Sequence, residues 1–288
     1  MTMMLRHHAA PTRWLLAALA VVLAATGLTV AAAQSPEAGE RTMTLSAYFL
    51  RETERGDPTI GTAHREIAIP ADKAVAAAAL RELLAGPTED EEDAGLSTAI
   101  PAETELIDLA LESETKIVTV DLSRPFIQFE DEPEGDILRA RVAQVVYTLT
   151  QFPTIETVAF AIDGQPVDRI GDVALDEPVG RVDFDDVTPL IFVESPAPGD
   201  TVSSPIRVWG TANTFEATFI IDVRDANDEI VANEVVTATS GSGTRGAFDV
   251  EIALGSHAAG DGAVIAYEIS ARDGGRENVV EIPVVIES

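Results

Sequence analysis

Five consecutive acidic residues are the densest group of reactive side chains in the chain. They are residues 89–93, EDEED, within the stretch LLAGPTEDEEDAGLSTAIP. Two carboxylates can act as general acid and base, but only where a pocket holds them and burial separates their pKa values. Carboxylates also bind hard cations, although this spacing is not that of an EF-hand. Adjacent acids repel one another and stay hydrated, so we predict a solvated surface loop, with a weak Ca²⁺ site as the alternative.

Four other polar groups could do chemistry. The acidic groups at 130–132 (EDE) and 183–186 (DFDD) follow the same argument and are predicted to lie on the surface. Asp121 and Ser123 end a predicted strand, where we expect one of them to bond local backbone amides in a turn. Phe215-Glu216 is predicted to place one side chain outward and one inward on a strand, although an exposed pair would suit an interface.

Familiar catalytic signatures are missing from the sequence. Beyond the N-terminal segment only His64 and His257 remain, and neither has the spacing of a zinc site or of a Ser-His-Asp triad. Ser242 lies in SGSGT, which lacks the glycine pattern of a nucleophile elbow and predicts a hairpin turn. There is no Cys, which rules out disulfides and thiolate metal sites. We therefore predict no catalytic, cofactor-binding or metal-binding residues.

The chain is strongly acidic, with 49 Asp and Glu against 19 Lys and Arg and a formal net charge of −30. Nucleic acid, anionic lipid and teichoic-type polymers need clustered cations for binding, so we expect none of them as partners. The hydrophobic share of 46% is that of a folded protein, not of a disordered acidic tail.

Residues 1–33 form a targeting segment. Arg6 and Arg13 precede an apolar run that ends in Ala31-Ala32-Ala33, as in a secretory signal peptide cleaved after Ala33. The same run is long enough to cross a bilayer as an uncleaved N-terminal membrane anchor, and membrane contact is expected only in that case. In both cases the remaining chain works outside the cytoplasm, either secreted or anchored.

Residues 34–42 are a polar tether, and a first domain is predicted over 43–187. Its strands are expected at 43–50, 65–70, 105–113, 116–123 and 154–164, and its helices at 73–85 and 136–151. Asp72 is expected to cap the first helix, and Gly86-Pro87 to end it. These elements give an α+β domain, a mixed sheet with two helices on one face, and the weak pattern of 167–188 predicts its closing edge plus a linker.

Residues 188–288 change character and predict an all-β domain. Seven short β-rich runs follow at near-regular spacing, divided by turn residues such as Pro198-Gly199-Asp200 and Asp273-Gly274-Gly275. Seven strands in about 100 residues indicate an immunoglobulin-like β-sandwich, here without the antibody-type disulfide. Trp209 is expected in its core.

The ordered motifs of both halves resemble a known domain pair. LLAGPTEDEEDAGLSTAIP, VTVDLSRPF (118–126) and VVYTLTQFPTIETVAFAIDG (145–164) resemble the GerM-type domain of bacterial sporulation and spore-germination proteins. IFVESPAPGDTVSSPIRVWGTANTFEATF (191–219) and GAFDVEIAL resemble the immunoglobulin-like domain that follows it in envelope proteins. The resemblance implies non-catalytic envelope modules, with GerM-type domains similar to ring-building domains that pack side by side. It brings no catalytic residues and does not imply that the organism sporulates.

The sequence thus predicts a non-catalytic exported scaffold or adaptor whose partners are envelope proteins or further copies of itself, through exposed sheet edges. The first alternative is a module that binds cell-wall glycan or peptide, with peptidoglycan as partner, although aromatic residues make up only 5% of the chain. The second alternative is an envelope hydrolase that uses carboxylates.

Overall fold

The computed structural model of the protein describes residues 40–53, 56–70, 74–129 and 135–288. The predicted signal or anchor, most of the tether, the cap Asp72 and the acidic group 130–132 lie outside the described residues, so these stay predictions. The last tether residues, 40–42, belong to the first strand. All described residues fall within one unit, Ala38–Ser288.

A long antiparallel hairpin opens the first domain. Its strands are β1 (Glu40–Glu52) and β2 (Pro58–Pro70), paired along their whole length. The sequence predicted shorter strands, because Gly61 and the polar residues around it interrupt the apolar alternation of β2. Four consecutive β1 residues, Ala47 to Leu50, are buried, because other elements pack on both faces of the strand.

Two helices and a short strand follow the hairpin. Helix α1 (Val75–Leu84) buries Leu80 and Leu83. Gly86 follows its C-terminal end with a φ of +82°, which suits a residue without a side chain. A second, five-residue helix α2 (Glu89–Asp93) is followed by β3 (Leu96–Ser97), which pairs with the end of β1. The three strands form a sheet in the order β2-β1-β3.

A second sheet completes the α+β domain. Strands β4 (Leu106–Glu112) and β5 (Ile117–Leu122) form the predicted hairpin. Helix α3 (Gly135–Leu149) then crosses over to β6 (Thr157–Ile162), which lies parallel to β5 and pairs in turn with β7 (Gln165–Pro166). The α+β class is confirmed, but the strands divide between two sheets instead of one. The reason is visible in α3, which contacts β1, β2 and β6 and is buried from Val142 to Leu149.

The segment 167–188 is packed against the first domain and is not an extended linker. It contains a small hairpin of β8 (Arg169–Ile170) and β9 (Val173–Ala174), then a 3₁₀ helix, Arg181–Val187. Phe184 and Val187 are buried in the core that surrounds α3. The sequence signal is weak because the buried residues are separated by acids and follow no regular period.

The predicted immunoglobulin-like sandwich is confirmed. Its strands, which share this half of the chain, are β10 (Ile191–Ser195), β11 (Thr201–Val202), β12 (Ile206–Ala212), β13 (Thr218–Arg224), β14 (Ile230–Thr237), β15 (Gly246–Ile252), β16 (Gly260–Ile269) and β17 (Arg276–Ile286). One sheet has the order β10-β12-β15 and the other β11-β17-β16-β13-β14. Together the two inner faces enclose a continuous apolar core.

Trp209 does not lie in that core. Along β12 the fully buried positions are Ile206, Val208, Gly210 and Ala212, so by strand alternation Trp209 falls on the opposite face and is half-buried. The core aromatics are Phe219 and Phe248, whose ring centroids are 4.9 Å apart in an edge-to-face arrangement.

Candidate functional site

The acidic run 89–93 is a helical turn held by structural bonds. Thr88 caps α2: its hydroxyl accepts from the Glu91 amide at 3.3 Å, and the Glu91 carboxylate accepts from the Thr88 amide at 2.7 Å. Glu91 also forms an ion pair with Arg65 of β2, whose guanidinium reaches the Glu82 and Gly86 carbonyls. The prediction of a solvated loop was wrong for Glu91, because its carboxylate closes a capping box with Thr88 and pairs with Arg65.

The acids at 183–186 are engaged as well. The Asp183 carboxylate accepts from the Gly180 amide at 2.8 Å and so caps the 3₁₀ helix. Asp186 receives two hydrogen bonds from Arg139 of α3, at 2.6 and 2.7 Å, and Asp185 pairs with Arg245 of the second domain. These side chains are partly exposed, as predicted for a surface, but Asp185 and Asp186 each join the 3₁₀ helix to another element.

Asp121 and Ser123 bond backbone amides, as predicted, but not local ones. The Asp121 carboxylate accepts from the Gly164 amide at 3.0 Å, and the Ser123 hydroxyl accepts from the Glu105 amide at 2.8 Å. The donors come from the turn after β6 and from the residue before β4. Because β5 is central in its sheet, the start of β4 and the end of β6 both lie beside its last residues, where Ser123 fastens the first and Asp121 the second.

The two histidines do not approach each other or Ser242. His64 of β2 contacts the Asp200 carboxylate through Nδ1 at 2.7 Å. His257 contacts the backbone carbonyls of Gly255 and Glu287, which raise its pKa above the ordinary value. Ser242 lies in the loop between β14 and β15; because those strands belong to different sheets, the predicted hairpin turn is a connection between sheets. In the described part of the chain no group of three or more His, Asp or Glu side chains is placed to hold a metal ion.

The strongest polar cluster lies where the two domains meet. Arg181 of the 3₁₀ helix donates to both carboxylate oxygens of Glu194 of β10, at 3.0 and 2.9 Å, and to the Tyr48 hydroxyl at 3.1 Å. Tyr48, in β1, also donates to Glu194. The guanidinium carbon of Arg181 lies 5.1 Å from the Tyr48 ring centroid and 4.6 Å from that of Tyr147. Arg181 is thus held by a carboxylate and by two aromatic rings.

Electrostatics fix the protonation states of Tyr48 and Arg181. Burial and the adjacent Glu194 carboxylate raise the pKa of Tyr48 well above its usual range, although Arg181 opposes the shift. Burial alone lowers the pKa of Arg181, but Tyr48 and Glu194 outweigh it and raise the pKa above the ordinary value. Tyr48 therefore stays neutral and Arg181 stays charged, which suits a permanent structural junction and not a group that exchanges protons.

Further bonds join the domains around this cluster. Arg245 of the loop before β15 donates to the carbonyls of Pro189 and Thr188 at 2.9 and 3.3 Å, in addition to its ion pair with Asp185. Arg51 of β1 donates to the Glu281 carbonyl of β17 at 2.6 Å. These contacts involve residues outside the Arg181 cluster, so the domains are joined at several points.

A cleft of about 530 Å³ opens beside this junction. Its walls are the end of the β1–β2 hairpin, the residues around the start of β10, and the stretch of β17 from Arg276 to Ile282. Exposed apolar side chains, Leu190 and Val279, lie on it together with charged ones. This cleft could not be predicted from the sequence, because three segments distant in the chain form it.

Phe215-Glu216 differs from its prediction. The two residues form a tight turn before β13, both are exposed, and Phe215 has 74% of its surface open to solvent. Glu216 and Ala217 both adopt positive φ, at 54° and 59°, a conformation that non-glycine residues rarely accept. The Ser242 hydroxyl accepts from the Glu216 amide at 2.9 Å and helps to hold this turn. The interface alternative named for this pair fits the exposed ring.

Two family models match the chain in the order that the resemblance predicted. Residues 46–168 match the Germane family, described as sporulation and spore germination. Residues 190–275 match the Gmad2 family, the immunoglobulin-like domain of bacterial spore germination. The chain therefore carries a Germane domain followed by a Gmad2 domain. Neither description names an enzyme.

Solved structures of sporulation proteins are among the similar folds. The tandem GerMN domains of the sporulation protein GerM from Bacillus subtilis share 16% identity, over 74% of this chain and 62% of that one, with a TM-score of 0.38. The first GerMN domain alone shares 21% identity, over 49% of this chain and 96% of that one, with a TM-score of 0.33. No curated protein matches the chain. Among the described residues, no helix has the length and apolar character needed to span a membrane.

Proposed function

We propose that this protein is an exported adaptor of the bacterial cell envelope, without catalytic activity of its own, that binds other envelope proteins. The two domain families support an association with sporulation or germination machinery. The signal-like segment 1–33 supports export. The adaptor role and the protein partners are our inference.

The observation that carries the proposal is the buried Arg181–Glu194 ion pair between the domains. Glu194 has 6% of its side chain exposed, and its carboxylate is saturated by Arg181 and Tyr48. A connection of this kind makes one body of the two domains and fixes the surfaces that they present together. An adaptor needs binding surfaces that keep a fixed arrangement. Two independent modules on a flexible linker would not need a buried connection of this kind.

The prominent polar groups favour binding over catalysis. The acids that could have formed a catalytic pair, Glu91, Asp121, Asp183 and Asp185, are engaged with arginines or backbone amides. A hydrolase would need two such groups facing each other across a pocket. The exposed Phe215 ring on a strained turn is a feature of contact surfaces instead.

Site-specific photo-crosslinking in the source organism tests the proposal. A photoreactive amino acid replaces Phe215 or Val279 in the full chain, and Glu114, in the exposed turn between β4 and β5, serves as the control position. We expect protein adducts of discrete mass from the first two positions and few from the third. Absence of protein adducts at both positions, combined with co-sedimentation of the protein with purified cell wall, would replace the adaptor with a wall-binding module. Protease accessibility in intact spheroplasts tests export separately.

A further inference from the structure

One edge of the larger sandwich sheet is open within the cleft. Strand β17 pairs with β16 on one side, but on the other side β11 reaches only Val285 and Ile286. Between Glu277 and Glu281 no strand of the described chain pairs with that side. An unpaired strand edge offers backbone groups to another strand, and this stretch is exposed apart from the half-buried Val280.

The direction of the backbone groups can be followed along β17. The Pro283 carbonyl accepts from the Gly199 amide, and the Val285 amide donates to the Asp200 carbonyl, both at 2.9 Å. The backbone groups of these odd-numbered residues therefore point away from β16. By strand alternation the backbone groups of Glu281 also point away from β16, and its carbonyl accepts a hydrogen bond from Arg51 at 2.6 Å. Arg51 thus occupies one acceptor that an added strand would use. A β-bulge places Asn278 and Val279 opposite the single residue Tyr267.

A buried hydroxyl provides an independent sign of a binding site. Thr62 of β2 lines the cleft and is 4% exposed, and its Oγ1 makes no hydrogen bond with the described residues. A buried hydroxyl without a partner costs free energy, and a bound peptide group can remove that cost. Thr62 belongs to the part of the cleft wall that the β1–β2 hairpin forms.

The charges around the cleft select the partner. Four carboxylates, Glu52, Asp57, Glu277 and Glu281, line it, against the two guanidinium groups of Arg51 and Arg276. Glu281 is paired with Arg224, so the attraction for a cation rests on the other three carboxylates. Both arginines are engaged, Arg51 with the Glu281 carbonyl and Arg276 with the buried Asp222 carboxylate. The whole chain carries a formal charge of −30, so a second copy would be repelled while a basic segment is attracted.

We propose that the cleft binds an extended, basic segment of a partner protein, which adds as a strand to the Glu277–Glu281 edge of β17. The segment displaces Arg51 from the Glu281 carbonyl. Its apolar side chains contact Leu190 and Val279, and its basic side chains face Glu52, Asp57 and Glu277. This inference rests on the proposed adaptor function and assigns it a site and a class of partner.

The test uses a short labelled probe peptide of alternating Val and Lys and the unit Ala38–Ser288, with binding followed by fluorescence anisotropy. Two control peptides accompany the probe: one with Glu in place of Lys, and one with alternate backbone amides methylated so that strand pairing is blocked at equal charge. We expect the methylated peptide to bind at least about tenfold more weakly, because the loss of one or two backbone hydrogen bonds has that effect. The Glu peptide should not bind.

Protein variants locate the site. Glu277→Lys should weaken binding of the probe roughly fivefold, the effect of one partly exposed charge contact, whereas Glu234→Lys on the opposite edge strand β14 changes the net charge equally and should have little effect. Thr62→Val should also weaken binding. Hydrogen exchange of the segment 277–282 should slow when the probe is bound.

Three results would overturn the inference. The first is no binding of the probe at about 1 mM, the weak end of measurable affinity. The others are equal affinity for the probe and the methylated peptide, and equal loss of probe binding in Glu277→Lys and Glu234→Lys. If protein adducts still form at Phe215 in cells, the adaptor function stands and only the cleft assignment fails. If the probe binds as expected but no adducts form in cells, the site stands and the adaptor function fails.

Discussion

Arg181 and Glu194 form a two-point ion pair that joins the 3₁₀ helix Arg181–Val187, at the end of the first domain, to the first strand of the immunoglobulin-like domain. The pair is separated by only 13 residues in sequence, but it lies between Tyr48 of β1 and Tyr147 of α3. The junction therefore combines a short chain connection with a buried carboxylate and two aromatic rings. Mutation of this junction should therefore change both the stability of the protein and the coupling between its two domains.

Removal of Arg181 should destabilise the protein strongly. Arg181→Met leaves the buried Glu194 carboxylate without its cation, which typically costs about 3–5 kcal/mol of unfolding free energy, here toward the lower end because part of Arg181 is exposed. The double variant Arg181→Met, Glu194→Leu should recover part of that loss, since no unpaired charge stays buried. Urea denaturation gives the unfolding free energy of the unmutated protein, the single variant and the double variant.

The control is Arg124→Gln, which breaks an exposed ion pair with Asp163 and should change the unfolding free energy by less than about 1 kcal/mol. A similar loss in the control and in Arg181→Met would contradict a special role for the junction.

The same junction should make the domains unfold together. Trp209 is the only tryptophan beyond the N-terminal segment and reports on the sandwich, whereas helical circular dichroism reports on α1 and α3 of the first domain. In the unmutated unit Ala38–Ser288 the two signals should change at one urea concentration. In Arg181→Met they should separate. Separate transitions in the unmutated protein would show that the junction does not couple the domains.

The tyrosines should resist ionisation at alkaline pH. Burial raises the pKa of Tyr48, Tyr147 and Tyr267, the three tyrosines of the chain, above their ordinary value of about 10. A raised folded-state pKa contributes stability that is complete below about pH 10 and is lost as the pH rises through the folded-state value. Phenolate absorbance should therefore appear late and together with unfolding. In denaturant the same titration should show the ordinary midpoint, and early ionisation of the native protein would contradict the burial.

The class of each domain could be predicted from the sequence because it depends on local patterns. The seven β-rich runs after Pro189 all became strands, and the Gly86-Pro87 stop ended a helix as glycine and proline dictate. The assignment of strands to two sheets in the first domain could not be predicted. It depends on α3 packing between them, and a nearly all-buried helix gives no single apolar face from which to infer its neighbours.

The junction and the cleft depend on contacts between distant segments. Glu194 carried a usable signal, since an acid directly after the apolar residues Ile191 to Val193 is unusual in a buried strand and demands a partner. Its partner Arg181 carried none, because nothing in the weak pattern of 167–188 sets it apart from other surface arginines. The counter-charge of Glu91 in the acidic run 89–93 is equally hidden in the sequence, because Arg65 lies on the distant strand β2.

A methyl group added at Gly210 should disrupt the sandwich. A Cβ at this position would lie 2.0 Å from the carbonyl oxygen of Phe192 on the neighbouring strand β10. Neither backbone can move without loss of the β10–β12 pairing, so Gly210→Ala should lower the unfolding free energy by about 2–3 kcal/mol. Ala247→Val, which enlarges an exposed side chain on β15, is the control and should be nearly neutral. Thermal denaturation compares the two, and equal stability of both variants would mean that the strands lie further apart at Gly210.

The acidic run offers a comparison between neighbouring glutamates. Glu91 closes the capping box with Thr88 and pairs with Arg65, whereas the adjacent Glu92 is exposed on the same short helix. Glu91→Gln should therefore lower the unfolding free energy by about 1–2 kcal/mol, from a weakened cap and a lost charge contact, while Glu92→Gln should change it by less than about 0.5 kcal/mol. Both substitutions remove one negative charge, so the difference between them reports the contacts alone. High salt should reduce the Glu91 effect only in part, because both partners of its ion pair are about one-tenth exposed and poorly screened. If both substitutions have equal and small effects in urea denaturation, the whole run 89–93 is solvated and the Glu91 contacts do not contribute to stability.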